Sequence, residues 1–417
     1  MQAAASSFSA PDADTADPAG AGASGRPWIV IAGGGTVGHV SPGVAIAEAL
    51  VRRGCPRGAI HFVGSRRGVE ATRVPNAGFS LTLLPGRGIQ RALRPAALVA
   101  NVGAVAGLAA AFVAAFAVLL RGRPKVVLSL GGYASLPCGL AAAVLRIPIV
   151  VAEQNAVPGA ANRLVGRAAR ACAVSFEQTD LPRAVLTGNP VRAEVLTVAE
   201  RLARDEARRL LGVEEGRTLL LAYGGSLGAR TINRAVWGAL ERWADRGDLA
   251  VRHIVGDRGW NERPAQLPQG ALRYDPVVYE EHMERALRAA DVVLSRAGAS
   301  TVFELAAVGV GSILVPLPIA TEDHQTANAR ALERVGAAVV IADRELTAER
   351  LIAEVDRLIG EPGLLDEMAE AARTVGRPDA ADRVADLLTR HARGPWPAPA
   401  AAPSSVASLP TVQEVNP

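Results

Sequence analysis

The 417 residues are 49% hydrophobic and 21% charged, with a formal net charge of +4. That apolar content excludes a disordered chain, and the length exceeds one ordinary core, so two domains are expected. The charge is too mild for nucleic-acid recognition, and three cysteines without a CxxC pair exclude a disulfide framework or a thiolate zinc site.

In chain order, residues 1–26 are rich in Ala, Ser, Asp, Gly and Pro and read as a disordered lead without the regions of a secretory signal. Short β-branched runs follow at Trp28–Ala32, Ile60–Val63, Val126–Leu130, Ile147–Val151 and Ala171–Ser175. A second series is Thr218–Ala222, Val251–Val255, Val292–Ser295, Ile313–Val315 and Ala338–Ile341. Continuous apolar strands separated by helical Ala/Leu/Arg stretches predict parallel sheets covered on both faces. Two such series, each opening on a glycine-rich loop, predict an α/β chain of two doubly wound, Rossmann-like domains. The first covers 27–187 and the second 188–375, with the turn residues Gly188-Asn189-Pro190 at the junction. Residues 393–417 read as a disordered tail. The cleft between the domains is the expected site.

Ala96–Leu120 is uncharged and flanked by Arg91, Arg94, Arg121 and Arg123. It is long enough to cross a bilayer, but its Ala, Gly and Val content weakens insertion. Its place inside a βαβ pattern predicts a crossover helix with one membrane-facing patch.

The first strand runs into Gly33-Gly34-Gly35-Thr36-Val37-Gly38-His39, then Ser41-Pro42, which predicts a helix capped by Ser41. Glycines let a phosphate approach the backbone, and a helix start offers N–H donors. Taken alone, this GxGxxG string leaves a nicotinamide cofactor open, since Arg66 and Arg67 could suit a 2′-phosphate. Further glycine loops follow at Gly131-Gly132-Tyr133 and at Gly224-Gly225-Ser226. Three such loops suit two phosphate-bearing ligands, where a dehydrogenase needs one, and point to a nucleotide-sugar donor with a phosphorylated acceptor.

In the second half, Ser295-Arg296-Ala297-Gly298-Ala299-Ser300-Thr301 leads into a helix carrying Glu304. The small residues leave room for a diphosphate at the helix start, and a carboxylate at Glu304 can accept from both ribose hydroxyls. Gln325 and Asn328 are three apart, so on a helix they share a face and their amides could read sugar hydroxyls.

The segments GGGTVGHVSPG, GGYAS, AEQNAVPGAANR, TGNPVR, YGGSLGAR, SRAGASTVFE and DHQTANA, in this order and spacing, resemble the MurG family. These transferases move N-acetylglucosamine from UDP to undecaprenyl-diphospho-muramoylpentapeptide in peptidoglycan synthesis. The resemblance spans about Trp28 to His391. It implies a GT-B fold, an inverting transfer with neither metal nor cofactor, and a final helix near 376–392 crossing back onto the first domain. It implies donor contacts at Asn155, Arg192, Ser226, Ala299, Ser300, Thr301, Glu304, Gln325 and Asn328. Thr36, Val37 and Gly38 would face the donor from the first domain, and Gly34, Gly35, Gly131, Gly132 and Tyr133 would hold the acceptor diphosphate. It also implies a protein peripheral to the cytoplasmic side of the cell membrane, at an anionic surface. Three positions depart from the family pattern: Val37 replaces glycine, Ala152 replaces histidine, and Glu280 stands where an apolar residue contacts uracil through its backbone.

The attacking hydroxyl needs a base, and an imidazole titrates in the useful range, so His39 is the catalytic candidate. Rival readings are a transferase acting on diacylglycerol, a UDP-sugar epimerase of the same plan, and a non-catalytic precursor-binding scaffold.

Overall fold

The computed structural model describes residues 26–66, 68–85, 95–225, 228–267, 269–318 and 321–397. Residues 1–25 and 398–417, read from sequence as disordered, lie outside these, as do Arg67, Arg91, Arg94 and Ser226.

The apolar runs become strands because their β-branched side chains fit a pleated surface buried on both sides. The first half contributes β1 (Ile29–Ala32), β2 (Ile60–Ser65), β3 (Ser80–Leu84), β4 (Val126–Ser129), β5 (Ile149–Glu153), β6 (Ala171–Val174) and β7 (Ala184–Leu186). The second contributes β8 (Thr218–Tyr223), β9 (Leu249–Ile254), β10 (Arg273–Val277), β11 (Val292–Ser295), β12 (Gly311–Leu314) and β13 (Ala338–Val340). Their orders are β3-β2-β1-β4-β5-β6-β7 and β10-β9-β8-β11-β12-β13, with parallel pairing throughout. In each half the order reverses beside the first strand, between β1 and β4 and between β8 and β11. Ligands of open α/β sheets bind outside the carboxyl ends of the strands at such reversals. All the glycine loops read from sequence, and Arg296-Ala297-Gly298, leave the ends of these four strands.

β3, β7 and β10 were not legible as strands. Each lies at or next to the rim of its sheet with largely unburied side chains, so selection for an apolar run is weak there. β5 also runs two residues beyond the predicted strand, which carries Glu153 into the sheet.

The helix after β1 begins at Val37 and is capped by Thr36, not Ser41. Pro42 therefore sits inside it and cannot donate to the carbonyl one turn back. Val37 is the first helical residue, so the left-handed backbone of this loop falls on the preceding glycines. The crossover helix runs Pro95–Gly122, burying Ala111, Ala115 and Leu119. Among the described residues no helix is long and apolar enough to cross a membrane.

The last helix, Ala380–His391, follows the second sheet in the chain yet buries Val384, Leu387 and Leu388 in the first core. Arg53 pairs with Asp386 at 2.7 Å on the solvent side of this contact. Beyond it, Trp396 stacks edge-on against Trp28 at 5.5 Å, and the Trp28 indole donates to the Gly394 carbonyl at 2.9 Å. Burial pushes the Cys138 thiol up to about 12 and those of Cys55 and Cys172 to about 11, so all three pack as small neutral groups.

Candidate active site between the two sheets

Two loops of the first sheet interlock. A Cβ on Gly132 would fall 2.3 Å from the Gly34 carbonyl oxygen, and one on Gly34 would fall 2.4 Å from the Glu70 carboxyl carbon. These two glycines are therefore demanded by packing within the protein, which the phosphate argument from sequence did not foresee. Gly35 is different: its φ is +95° and nothing stands within 4 Å of its would-be Cβ. Ser135 Oγ lies 2.8 Å from the carbonyls of both Ala32 and Gly131, tying the loop ends together. The Tyr133 hydroxyl donates to the Pro85 carbonyl at 3.0 Å.

His39 lies on the first turn of its helix, with Nδ1 2.9 Å from Thr36 Oγ1. Its ring edge packs beside Gly131, where a Cβ would stand 3.2 Å from Nε2. Burial lowers its pKa below the usual 6.5 and His324 pushes the same way, while the carboxylates of Glu153 and Glu70 oppose them. At neutral pH the ring is accordingly neutral and able to accept a proton.

Glu153, at the end of β5, is buried and organises the segment that follows. Its carboxylate accepts from the Asn155 and Gly159 backbone N–H groups, both at 3.0 Å, and from Asn162 Nδ2 at 2.9 Å. Ala152, beside it, is buried and apolar, its carbonyl accepting from Gln154 Nε2 and Asn162 Nδ2.

In the second half, Ala299, Ser300, Thr301 and Glu304 occupy the first turns of the helix Ala299–Val308, which Gly298 caps. Arg192, arriving from the junction, places Nε 2.8 Å from Glu304 Oε1. Tyr223, the last residue of β8, is buried beneath this pair, and burial with the Glu304 charge raises its pKa. Gln325 turns Oε1 onto the backbone N–H groups of Ala297 and Leu317, at 3.2 and 3.0 Å.

Asn328, expected with Gln325 to read sugar hydroxyls, stands where the two halves meet. It is fully buried: Oδ1 accepts from the Ala156 N–H at 2.9 Å, while Nδ2 donates to Asn155 Oδ1 at 3.1 Å and to the Ala297 carbonyl at 3.2 Å. Its amide is committed to joining the two halves. Helical spacing with Gln325 was visible in sequence, but the opposing loop was not.

Glu280 points its carboxylate at Arg252, 2.6 Å from Nη2, and caps the His282 N–H at 3.2 Å. Its charge is thus neutralised by a partner on β9. Sequence reasoning missed Glu70, Glu153 and Tyr223; only Glu153 left a signal, as a carboxylate directly after an apolar strand. Among the described residues no cluster of His, Cys, Asp or Glu is placed to hold a metal ion.

Two doubly wound Rossmann-like halves, one carrying His39 by its switch-point loops and the other Arg192 and Glu304 at a helix start, have the plan of a GT-B protein. Residues 29–174 match the glycosyltransferase family 28 N-terminal domain, and residues 219–384 match the C-terminal domain of the same family. The chain belongs to this family. It is 40% identical to the UDP-N-acetylglucosamine--N-acetylmuramyl-(pentapeptide) pyrophosphoryl-undecaprenol N-acetylglucosamine transferase of Desulforudis audaxviator, covering 87% of this chain and 98% of that protein. A protein of the same name from Alkalilimnicola ehrlichii is 41% identical, covering 88% and 99%. Among solved structures, MurG of Acinetobacter baumannii superimposes with a TM-score of 0.66 at 29% identity, covering 87% of this chain and 98% of that one.

Proposed function

We propose that this chain transfers N-acetylglucosamine from UDP-N-acetylglucosamine to undecaprenyl-diphospho-muramoylpentapeptide, a step of peptidoglycan synthesis. The observation that carries this reading is that both halves match transferases of that name together, at 40% identity over 87% of the chain.

The second half takes the donor. The diphosphate lies at the start of the helix Ala299–Val308, where unpaired N–H groups and the helix dipole favour an anion. Glu304 receives the ribose hydroxyls, and Arg192, released from Glu304, follows the diphosphate and balances its charge as UDP departs. Gln325 presents the amide end it does not use on the backbone. Asn155, held by Asn328, faces the same space.

The first half takes the acceptor. Its diphosphate approaches the open Gly35–Gly38 segment and the Gly131-Gly132-Tyr133 turn. His39 Nε2, lying beside that turn, removes the proton of the attacking hydroxyl while Thr36 fixes Nδ1. Inverting transfer requires one displacement at the anomeric carbon: the new C–O bond forms as the bond to UDP breaks.

The acceptor's polyprenyl chain implies a peripheral position at the cytoplasmic side of the cell membrane. Val113 and Leu120 on the helix Pro95–Gly122, with Leu140 and Val144 on its packed neighbour Ser135–Val144, are exposed apolar side chains on the first half. Arg121 and Arg123 flank them, so insertion at an anionic interface combines both attractions.

The testing experiment supplies radiolabelled UDP-N-acetylglucosamine with either the lipid-linked muramyl-pentapeptide or diacylglycerol. Label must pass to the first acceptor and not the second; label in diacylglycerol alone overturns the assignment.

A further inference from the structure

Glu70 is the most completely buried carboxylate beside the cleft, and none of the reaction's steps uses it directly. Only 1% of it is exposed. Its Oε1 accepts from the Ser65 N–H at 2.7 Å and from Ser65 Oγ at 2.8 Å, and its Oε2 accepts from the Gly35 N–H at 2.8 Å. Three glycines surround it. A Cβ would fall 2.4 Å from Glu70 at Gly34, 2.4 Å at Gly64 and 1.9 Å at Gly68. The chain thus gives up side chains at three places around one charged group, and burying a charge is tolerated only where hydrogen bonds satisfy it.

The Gly35 contact has a direct consequence. Gly35 precedes Thr36, the helix cap, whose backbone is extended at φ −134° and ψ 158°. Thr36 Oγ1 in turn lies 2.9 Å from His39 Nδ1. Holding the Gly35 N–H restrains the turn that leads into Thr36, and the Thr36 hydroxyl holds one ring nitrogen, Nδ1. The other nitrogen, Nε2, is left beside Gly131.

We infer that Glu70 is a positioning residue for His39, acting through Gly35 and Thr36 to set the orientation of the imidazole. A hydroxyl can donate to or accept from a ring nitrogen, so the contact sets where the ring lies and leaves Nε2 beside Gly131 for the acceptor. Glu70 itself touches neither substrate. This inference rests on the reading of His39 as a cleft residue, and the test separates the two.

The test is a double-mutant cycle combined with imidazole spectroscopy. Glu70→Gln keeps the shape but removes one acceptor oxygen. In the transfer assay it is expected to lower kcat by about tenfold or more, with donor KM within about twofold of wild type. In a His39→Ala background the same change is expected to be nearly silent, within about twofold, because its target is gone. Effects that multiply instead would overturn the inference. The chain has six histidines, so ¹⁵N labelling of histidine resolves the His39 ring without turnover. Glu70→Gln and Thr36→Val should each shift its ring nitrogen signals; an unchanged ring spectrum in a folded variant also overturns the link, whatever His39 does in catalysis. Should Glu70→Gln fail to fold, Ser65→Ala, which removes one donor to the carboxylate, must disturb the same ring signal, and no change there has the same meaning.

Discussion

Arg192 Nε lies 2.8 Å from Glu304 Oε1, joining the segment between the two sheets to the helix that opens the donor wall. The two groups proposed for adjacent parts of UDP, ribose and diphosphate, are thus each other's partners in the ligand-free protein. In the proposed donor site, binding would exchange this internal ion pair for two ligand contacts, leaving neither the guanidinium nor the carboxylate unpaired.

Glu304→Ala is therefore expected to weaken donor binding about ten- to a hundredfold, the worth of hydrogen bonds to a charged acceptor, while the fold persists. Calorimetric titration with UDP-N-acetylglucosamine checks this. An unchanged dissociation constant would remove Glu304 from the donor site.

Burial, seconded by His324, outweighs the carboxylates of Glu153 and Glu70 and holds the His39 pKa below 6.5. A base must be neutral, so activity is retained above that lowered pKa and lost as the pH falls through it; the acidic limb of kcat is expected below pH 6.5. His39→Ala should reduce kcat by about 10²–10⁴ and abolish the limb. A limb that persists in the variant assigns it to another group.

Much of this architecture was legible because central strands such as β1, β4 and β11 are buried on both faces, which forces short uninterrupted apolar runs. Rim strands escape that constraint, and β10 even holds Pro276. At the site, residue types in motifs were visible but their partners were not. The glycines before Thr36 read as phosphate contacts, whereas Gly34 answers to Glu70, which is distant in sequence. Asn328 read as a sugar ligand because its helical spacing pointed to Gln325; its partners Asn155 and Ala156 lie on the other half of the chain.

Asn328→Ala should loosen that junction. It leaves the buried Ala156 N–H and the Asn155 side-chain Oδ1 short of a partner, a cost of about 1–3 kcal/mol. Faster hydrogen exchange at Ala156 with a lowered Tm is the expected result. Normal exchange with only a raised donor KM would return Asn328 to the sugar.

His253 offers a stability test away from the chemistry. It is buried between Tyr274 OH at 2.9 Å and Asn233 Oδ1 at 3.1 Å, and burial pushes its pKa down to about 3. The unfolded chain binds this proton below pH 6.5 and the folded one does not until about pH 3. Stability from this group is whole above pH 6.5 and falls by about 1.4 kcal/mol per pH unit between those limits. Denaturant titrations across that window should show His253→Gln with a shallower pH slope than wild type; equal slopes would contradict it.

For the membrane face, Val113→Ser with Val144→Ser, and separately Arg121→Gln with Arg123→Gln, should each reduce binding to anionic vesicles. Only the arginine effect should be suppressed by salt. Turnover of a short-chain, water-soluble acceptor should be unchanged, and equal loss on both acceptors would place these residues in the fold or the site.

The central claim is transfer, and its most direct measurement is stoichiometry. Purified protein is mixed with UDP-N-acetylglucosamine and the undecaprenyl-linked muramyl-pentapeptide, and released UDP and lipid product are quantified together. One UDP is expected per N-acetylhexosamine added to the lipid, with no UDP released when the acceptor is omitted. UDP release without a modified lipid, or neither product despite tight binding of both substrates, would contradict the account.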